Sequence, residues 1–148
     1  MHQNLPRPSK DDTLQSVMMT CPVEALLTGK DLLVASPSDS VQKVVRIFQK
    51  EKKDCVLVYK KKNLVGILVV RDMLWKVAGK YKDLSKVKVE DVMTTRIECL
   101  KPEDPLAFAV NKMALGGFRH LPVLNPDGTP ISVIIIKDVL KYLSRRKK

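Results

Sequence analysis

Apolar residues recur along this chain in two rhythms, one of helical period and one of continuous short runs. Val41, Val44, Val45 and Phe48 fall at i, i+3, i+4 and i+7, which predicts an amphipathic helix after Pro37-Ser-Asp39, with Asp39 as its N-cap. Gln42, Lys43, Arg46 and Lys50 take its wet face. Leu32-Leu-Val34 before it reads as a short strand. After it, Cys55–Tyr59 and Leu64–Val70 are apolar runs on either side of a polar turn at Lys60–Asn63, which predicts a hairpin. From Asp72 a helix runs through Met73, Leu74 and Val77 until Gly79 stops it. Upstream, residues 1–12 have no period, while Leu14, Val17 and Met18 predict a short helix ending near Thr20-Cys21-Pro22, followed by a helical turn over Val23–Leu27.

The same order then returns. A strand at Ile97–Leu100 leads to Pro102-Glu-Asp104 and to a helix carrying Leu106, Ala109, Val110 and Met113, with Asp104 as cap, Pro105 in the first position and Gly116-Gly117 as the stop. A strand over His120–Leu124, a turn at Asn125-Pro-Asp-Gly128, a strand over Ile131–Ile136 and a helix from Asp138 complete the second copy. Gly66-Ile-Leu-Val-Val-Arg-Asp72-Met-Leu74 and Ser132-Val-Ile-Ile-Ile-Lys-Asp138-Val-Leu140 are the two versions of one motif. Pro37 and Pro102 lie 65 positions apart, Asp72 and Asp138 66, so the copies match with one extra residue in the second hairpin. The division expected is an N-terminal arm over 1–15, a first repeat over 16–80 and a second over 81–148.

With 148 residues, 45% hydrophobic and 29% charged, the chain can bury a core of ordinary globular type. No apolar run approaches the roughly 20 residues that span a bilayer, and the first residues lack a secretion signal, so a cytoplasmic location without membrane association is expected. Cys21, Cys55 and Cys99 are odd in number and form no Cys-x-x-Cys, the pattern of reduced structural thiols. A net charge of +11 favours anionic partners, from phosphates to nucleic acid, whereas 5% aromatic residues argue against a stacking surface for single strands. No Gly-x-x-x-x-Gly-Lys-Ser/Thr, His-Glu-x-x-His or Gly-x-Ser-x-Gly occurs, and there are two histidines. Neither a catalytic residue nor a metal ligand set is therefore expected, and no cofactor is required.

The repeated motifs resemble a tandem pair of CBS domains, the regulatory arrangement called a Bateman module. In the second copy the resemblance rests on Val89-Glu-Asp-Val-Met-Thr94, Lys101-Pro-Glu-Asp-Pro-Leu106, Phe118-Arg-His-Leu-Pro-Val123 and Ile134-Ile-Ile-Lys-Asp-Val-Leu140. In the first it rests on Met19-Thr20, Ser36-Pro-Ser-Asp39, Val56-Leu-Val58 and Gly66–Leu74, with about nine extra residues after Thr20. It implies an α+β fold of two pseudo-symmetric β-α-β-β-α units packed through their sheets, with clefts that take adenosine-containing ligands such as AMP, ADP, ATP, S-adenosylmethionine or NAD. It also implies a homodimer without catalysis of its own.

A carboxylate can accept both hydroxyls of a ribose, and the resemblance puts that acid at Asp72 and Asp138. The plainer role of each is a helix N-cap, worth about 1 kcal/mol. Family members carry Ser or Thr three residues before the acid; here those positions are Val69 and Ile135, which removes a hydrogen bond worth about 0.5–1.5 kcal/mol from each site. Arg71, Arg119, His120 and Lys137 match positions that face phosphate, and their plainer roles are solvated charges and, for His120, a structural hydrogen-bonded ring. An adenine slot would be walled by Ala35, Pro37, Val56 and Val58 in the first copy and by Leu100, Pro102, Leu121 and Val123 in the second, residues that would equally fill a sheet core.

Three readings follow. The first is a regulatory, homodimeric sensor that binds an adenine nucleotide of the AMP, ADP or ATP class and modulates an unidentified protein partner. The second is a ligand-free dimerisation or docking scaffold, and the third is nucleic-acid binding through the basic surface.

Overall fold

The computed structural model describes residues 13–27 and 32–145. The arm expected over 1–15 lies outside the described residues up to position 12; from Leu14 the chain is already helical, α1 (Leu14–Thr20), capped by Thr13, whose hydroxyl accepts from Ser16 N–H at 3.1 Å. A 3-10 turn follows at Val23–Leu26.

The described residues form two compact units, one spanning 31–97 and the other joining the segment up to 27 with residues from 98 onward. In the first, β1 (Val34–Ala35), α2 (Val41–Glu51), β2 (Cys55–Lys60), β3 (Asn63–Val69) and α3 (Val70–Asp72) give the expected β-α-β-β-α order. β1 pairs parallel with β2, and β2 antiparallel with β3, so the sheet runs β1-β2-β3. Val41, Val44 and Phe48 of α2 are buried against Val56, Val58 and Leu68, which is the apolar face that the period predicts.

In the second unit, α4 (Leu106–Gly116), β4 (Leu121–Leu124), β5 (Pro130–Ile134) and α5 (Ile136–Ser144) repeat the order. Gly117, at φ 72°, takes the left-handed position that ends α4, and Gly128, at φ 91°, closes the β4–β5 turn. The strand predicted at Ile97–Leu100 shrinks to one parallel bridge, Leu100 with Val123. Leu100 donates to the Pro122 carbonyl at 2.8 Å and accepts from Leu124 N–H at 3.0 Å. The next ladder donors on either side fall to Pro102 and Pro122, which have no N–H, so the pairing stops after one residue.

Helix starts differ from the sequence expectation in a consistent way. Ser40, not Asp39, caps α2, its hydroxyl accepting from Lys43 N–H at 3.1 Å; Pro105, not Asp104, precedes α4. The two aspartates instead close the tight turns before those helices, Asp39 accepting from Ser36 N–H and Asp104 from Lys101 N–H, each at 2.8 Å.

The compact units and the sequence repeats cut the chain differently, because each repeat exchanges its leading segment. Val17, Val23 and Leu26 bury in one cluster with Leu100, Leu106, Leu121, Ile134 and Val139, while Val87, Val89 and Val92 bury with Val41, Val44 and Leu68. The backbone bonds match pair by pair. Val23 N–H reaches Asp104 O at 2.7 Å, Glu24 N–H reaches Pro102 O at 3.0 Å and Leu106 N–H reaches Cys21 O at 2.9 Å. In the other unit Val89 reaches Asp39 at 2.8 Å, Glu90 reaches Pro37 at 3.0 Å and Val41 reaches Val87 at 2.8 Å. Cys21-Pro-Val-Glu24 is therefore the counterpart of Val87-Lys-Val-Glu90. This corrects the alignment of Met19-Thr20 with Met93-Thr94, and with it the nine-residue insertion inferred from that alignment.

Candidate functional site

Each hairpin delivers the chain into a helix whose third residue is an aspartate. Asp72 Oδ2 accepts from Val69 N–H and Asp138 Oδ2 from Ile135 N–H, both at 2.9 Å. The carboxylates thus sit at the third helical position and reach back to the residue before the helix, rather than being the N-caps themselves. The residues in the cap position are Val69 and Ile135, the two places where the family hydroxyl is missing. A Ser or Thr there would return the bond and complete a capping box; valine and isoleucine have no acceptor. The helix start also explains why Val70 and Ile136, predicted as strand, are helical: the carboxylate bond draws the helix back over them.

Beyond Asp72 the helix widens into a π turn, Met73–Val77, with Ala78 N–H bonding the Met73 carbonyl at 2.7 Å. Lys76 on this turn places Nζ 3.4 Å from Asp72 Oδ1, 3.1 Å from the Val92 carbonyl and 2.9 Å from Thr94 Oγ1. The Asp72 side chain is 14% exposed and that of Lys76 38%. The Arg71 guanidinium lies over the Trp75 ring, 6.0 Å from its centroid, and both residues are exposed.

Asp138 has different surroundings. It lines a cavity of about 90 Å³ together with Ala25, Leu26, Leu27, Lys141, Tyr142 and Arg145. Its i+4 neighbour is Tyr142, whose hydroxyl turns to Cys21 Sγ at 3.6 Å. Lys137 and Arg119 are exposed and His120 is half-buried.

Ala35, Val56 and Val58 lie buried in the core of unit 31–97; Leu100, Leu121 and Val123 are buried in that of the other unit. Pro37 and Pro102 are half-buried, and their carbonyls hold Glu90 and Glu24 of the exchanged segments. Of the fourteen positions singled out in the sequence, Asp138 lines a cavity together with the two basic residues Lys141 and Arg145. A larger cavity, about 340 Å³, runs along α2 past Lys43, Arg46, Lys50, Leu33, Val34 and Ile47, and holds none of them. The sequence pointed to neither Lys76 nor Lys141 as a site residue. The i, i+4 spacing of Asp72 and Lys76 was the available signal for the first.

Charge shifts lie beside these residues. The Cys55 thiol is pushed up to about 12 by burial, helped by the charges of Asp54 and Asp72. Cys99 is also raised, mainly by burial. Among the described residues no three His, Cys, Asp or Glu side chains gather as a metal site, and no helix is long and apolar enough to cross a membrane.

A family model described as the CBS domain matches residues 16–79 and 89–145. The CBS domain-containing protein CBSCBSPB1 of Arabidopsis thaliana is 31% identical over 103 residues, which cover 70% of this chain and 19% of that protein, so the chain spans about a fifth of that relative's length. A crystal structure of the CBS domain protein NE2398 matches with a TM-score of 0.76 at 27% identity, over 83% of this chain and 98% of that one. The fold is also shared with CBSX2, crystallised in complex with AMP, at a TM-score of 0.74 and 22% identity over 86% and 99% of the two chains.

Proposed function

The chain belongs to the CBS-domain family and carries the domain twice, and from that premise we propose that it is a regulatory module sensing an adenosine-containing nucleotide of the AMP, ADP or ATP class. One observation carries this reading: Asp138, anchored at the start of α5, lines a cavity beside Lys141 and Arg145. A carboxylate suits the two donors of a ribose, and neighbouring cations suit phosphate oxygens. The AMP held by CBSX2, a protein of the same fold, supports the choice of ligand class. The cofactor-free, non-catalytic character expected of such a module goes with this reading, as does a signal passed to a protein partner by a ligand's preference for one arrangement of the halves.

A homodimer belongs to the same proposal. Phe108 and Leu115 of α4 and Ile136 and Leu140 of α5 are large apolar side chains left exposed on helices, as surfaces that pair with another copy are.

The test is a thermal-shift panel of AMP, ADP, ATP, S-adenosylmethionine and NADH. Ligand at 100 times its Kd stabilises by about 2.7 kcal/mol; no shift with any of the five sinks the sensing reading. The scaffold reading has its own support. The 90 Å³ cavity at Asp138 is well below the roughly 300 Å³ at which ligand pockets begin, and Asp72 is already paired to Lys76. A scaffold gives a dimer whose stability ignores all five ligands.

A further inference from the structure

We infer that Lys76 determines which of the two copies answers the ligand, by clamping Asp72 shut and leaving Asp138 the open carboxylate; the inference rests on the nucleotide reading above. An ammonium has three N–H donors, and Lys76 Nζ has three protein acceptors: Asp72 Oδ1 at 3.4 Å, the Val92 carbonyl at 3.1 Å and Thr94 Oγ1 at 2.9 Å. The other Asp72 oxygen is taken by Val69 N–H at 2.9 Å. A ribose approaching Asp72 therefore brings neutral hydroxyl donors against a cation already in place. Charge-assisted hydrogen bonds are roughly twice as strong as neutral ones, so the lysine keeps the carboxylate.

The second copy lacks this clamp for a reason visible in one position. Four residues beyond Asp138 stands Tyr142, which buries its ring and directs its hydroxyl to Cys21 Sγ. Among the described residues no ammonium takes the place that Lys76 takes in the first copy. The basic residues near Asp138, Lys141 and Arg145, line the cavity with it instead.

The clamp is also joined to the chain that follows. Val92 and Thr94 belong to the segment exchanged into unit 31–97, and Thr94 pairs with Ile67 of β3 through N–H···O bonds of 2.8 and 2.9 Å. Lys76 thus ties the π turn to that segment, and opening Asp72 means releasing both.

The experiment titrates AMP, ADP and ATP by calorimetry into the full chain and into Lys76→Met, Asp138→Ala and the double variant. Emission from Trp75, the chain's one tryptophan, reports on the first copy. The expected result is binding in the wild type that Asp138→Ala weakens at least tenfold, and that Lys76→Met restores at least fivefold in the double variant, now with a change in Trp75 emission. If the wild type binds but the double variant binds no better than Asp138→Ala, the clamp does not select the site and the inference falls. If Lys76→Met weakens binding in the Asp138→Ala background, Lys76 is a ligand donor and the inference falls likewise. If no version binds any of the three nucleotides, the sensing reading fails instead, and unfolding of Lys76→Met, Thr94→Val and their combination judges the clamp alone. Effects on the unfolding constant that combine to less than their product uphold it; independent, multiplying effects overturn it.

Discussion

The ammonium of Lys76 lies 3.4 Å from the Asp72 carboxylate, whereas the residue in the same place after Asp138 is a tyrosine that faces Cys21. Two aspartates in equivalent positions of one repeat therefore differ in what remains available on them. Losing an acceptor for a hydrogen bond to a charged group costs about 1.5–3 kcal/mol, tenfold or more in affinity. Asp138→Ala is expected to weaken AMP binding by about that amount and Asp72→Ala to leave it nearly unchanged while lowering the melting temperature. Calorimetry and thermal denaturation on the same samples separate the two, and equal effects on affinity would contradict the ranking.

Val69→Thr and Ile135→Thr each place a hydroxyl where the helix lacks a cap acceptor. The reciprocal bond of the capping box then forms, with a gain of about 0.5–1 kcal/mol, less the cost of exchanging a half-buried methyl at Val69, or an ethyl group at Ile135, for a hydroxyl. Chemical denaturation should show both variants at or above the wild-type midpoint. A tighter nucleotide affinity in Ile135→Thr alone would mean that this hydroxyl also meets the ligand.

Gly66 is the small residue that opens the first motif, and its counterpart is Ser132. In the structure a Cβ at Gly66 would run into the Met93 side chain, so the glycine makes room for the exchanged segment under β3. Gly66→Ala is expected to cost about 1–3 kcal/mol by overpacking, read as a lowered denaturation midpoint. Met93→Ala in the same chain should recover part of the loss, since a flexible thioether is what must move.

The fold's order was legible because period and turn chemistry agree along the chain. Val41, Val44 and Phe48 lie on the buried face of α2, and the Lys60–Asn63 and Asn125–Gly128 turns join the strands expected. Helix starts were not, because an aspartate at the N-cap, just before it or at the third helical position gives the same sequence, and the difference lies in which N–H its carboxylate meets. Of the candidate site, the sequence showed two matched acids but not what each carboxylate meets. Ala35, Val56, Val58, Leu100, Leu121 and Val123 have the composition of an apolar slot and of a sheet core alike, and here they are core. The pairing of Val23 with Asp104 and of Val89 with Asp39 is long-range, and nothing local in Cys21–Glu24 says which half it will join.

Asp39 gives the fold an acid sensitivity. Its carboxyl is held below the ordinary carboxylate range chiefly by the Ser36 N–H bond, with burial working against it and Lys43 adding to it. A lowered native pKa means that the stabilisation is complete above the unfolded value of about 3.9 and is lost as pH falls through the native one. Melting temperature should drop on acidification below about pH 4, and less so in Asp39→Asn, whose amide oxygen can still accept from Ser36. An identical acid profile in the variant would show that other carboxyls dominate.

Cys55, pushed up to about 12, is almost wholly thiol at neutral pH. Iodoacetamide at pH 7.5 is expected to leave it unmodified in the native protein and to label it fully in denaturant, as mass spectrometry would show. Rapid native labelling would mean that the β2–β3 hairpin opens far more often than its buried ladder implies.

The exchange of leading segments sets an order of events during synthesis. Unit 31–97 is contiguous, with its strands, α2 and the 84–94 segment all close in sequence, so it can form as soon as that stretch has left the ribosome. The other unit has no such option: residues 13–27 emerge first, yet Val17, Val23 and Leu26 find their partners only when Leu121, Ile134 and Val139 have been made. Until then those early apolar residues wait, and closing so long a loop falls to the last step of folding.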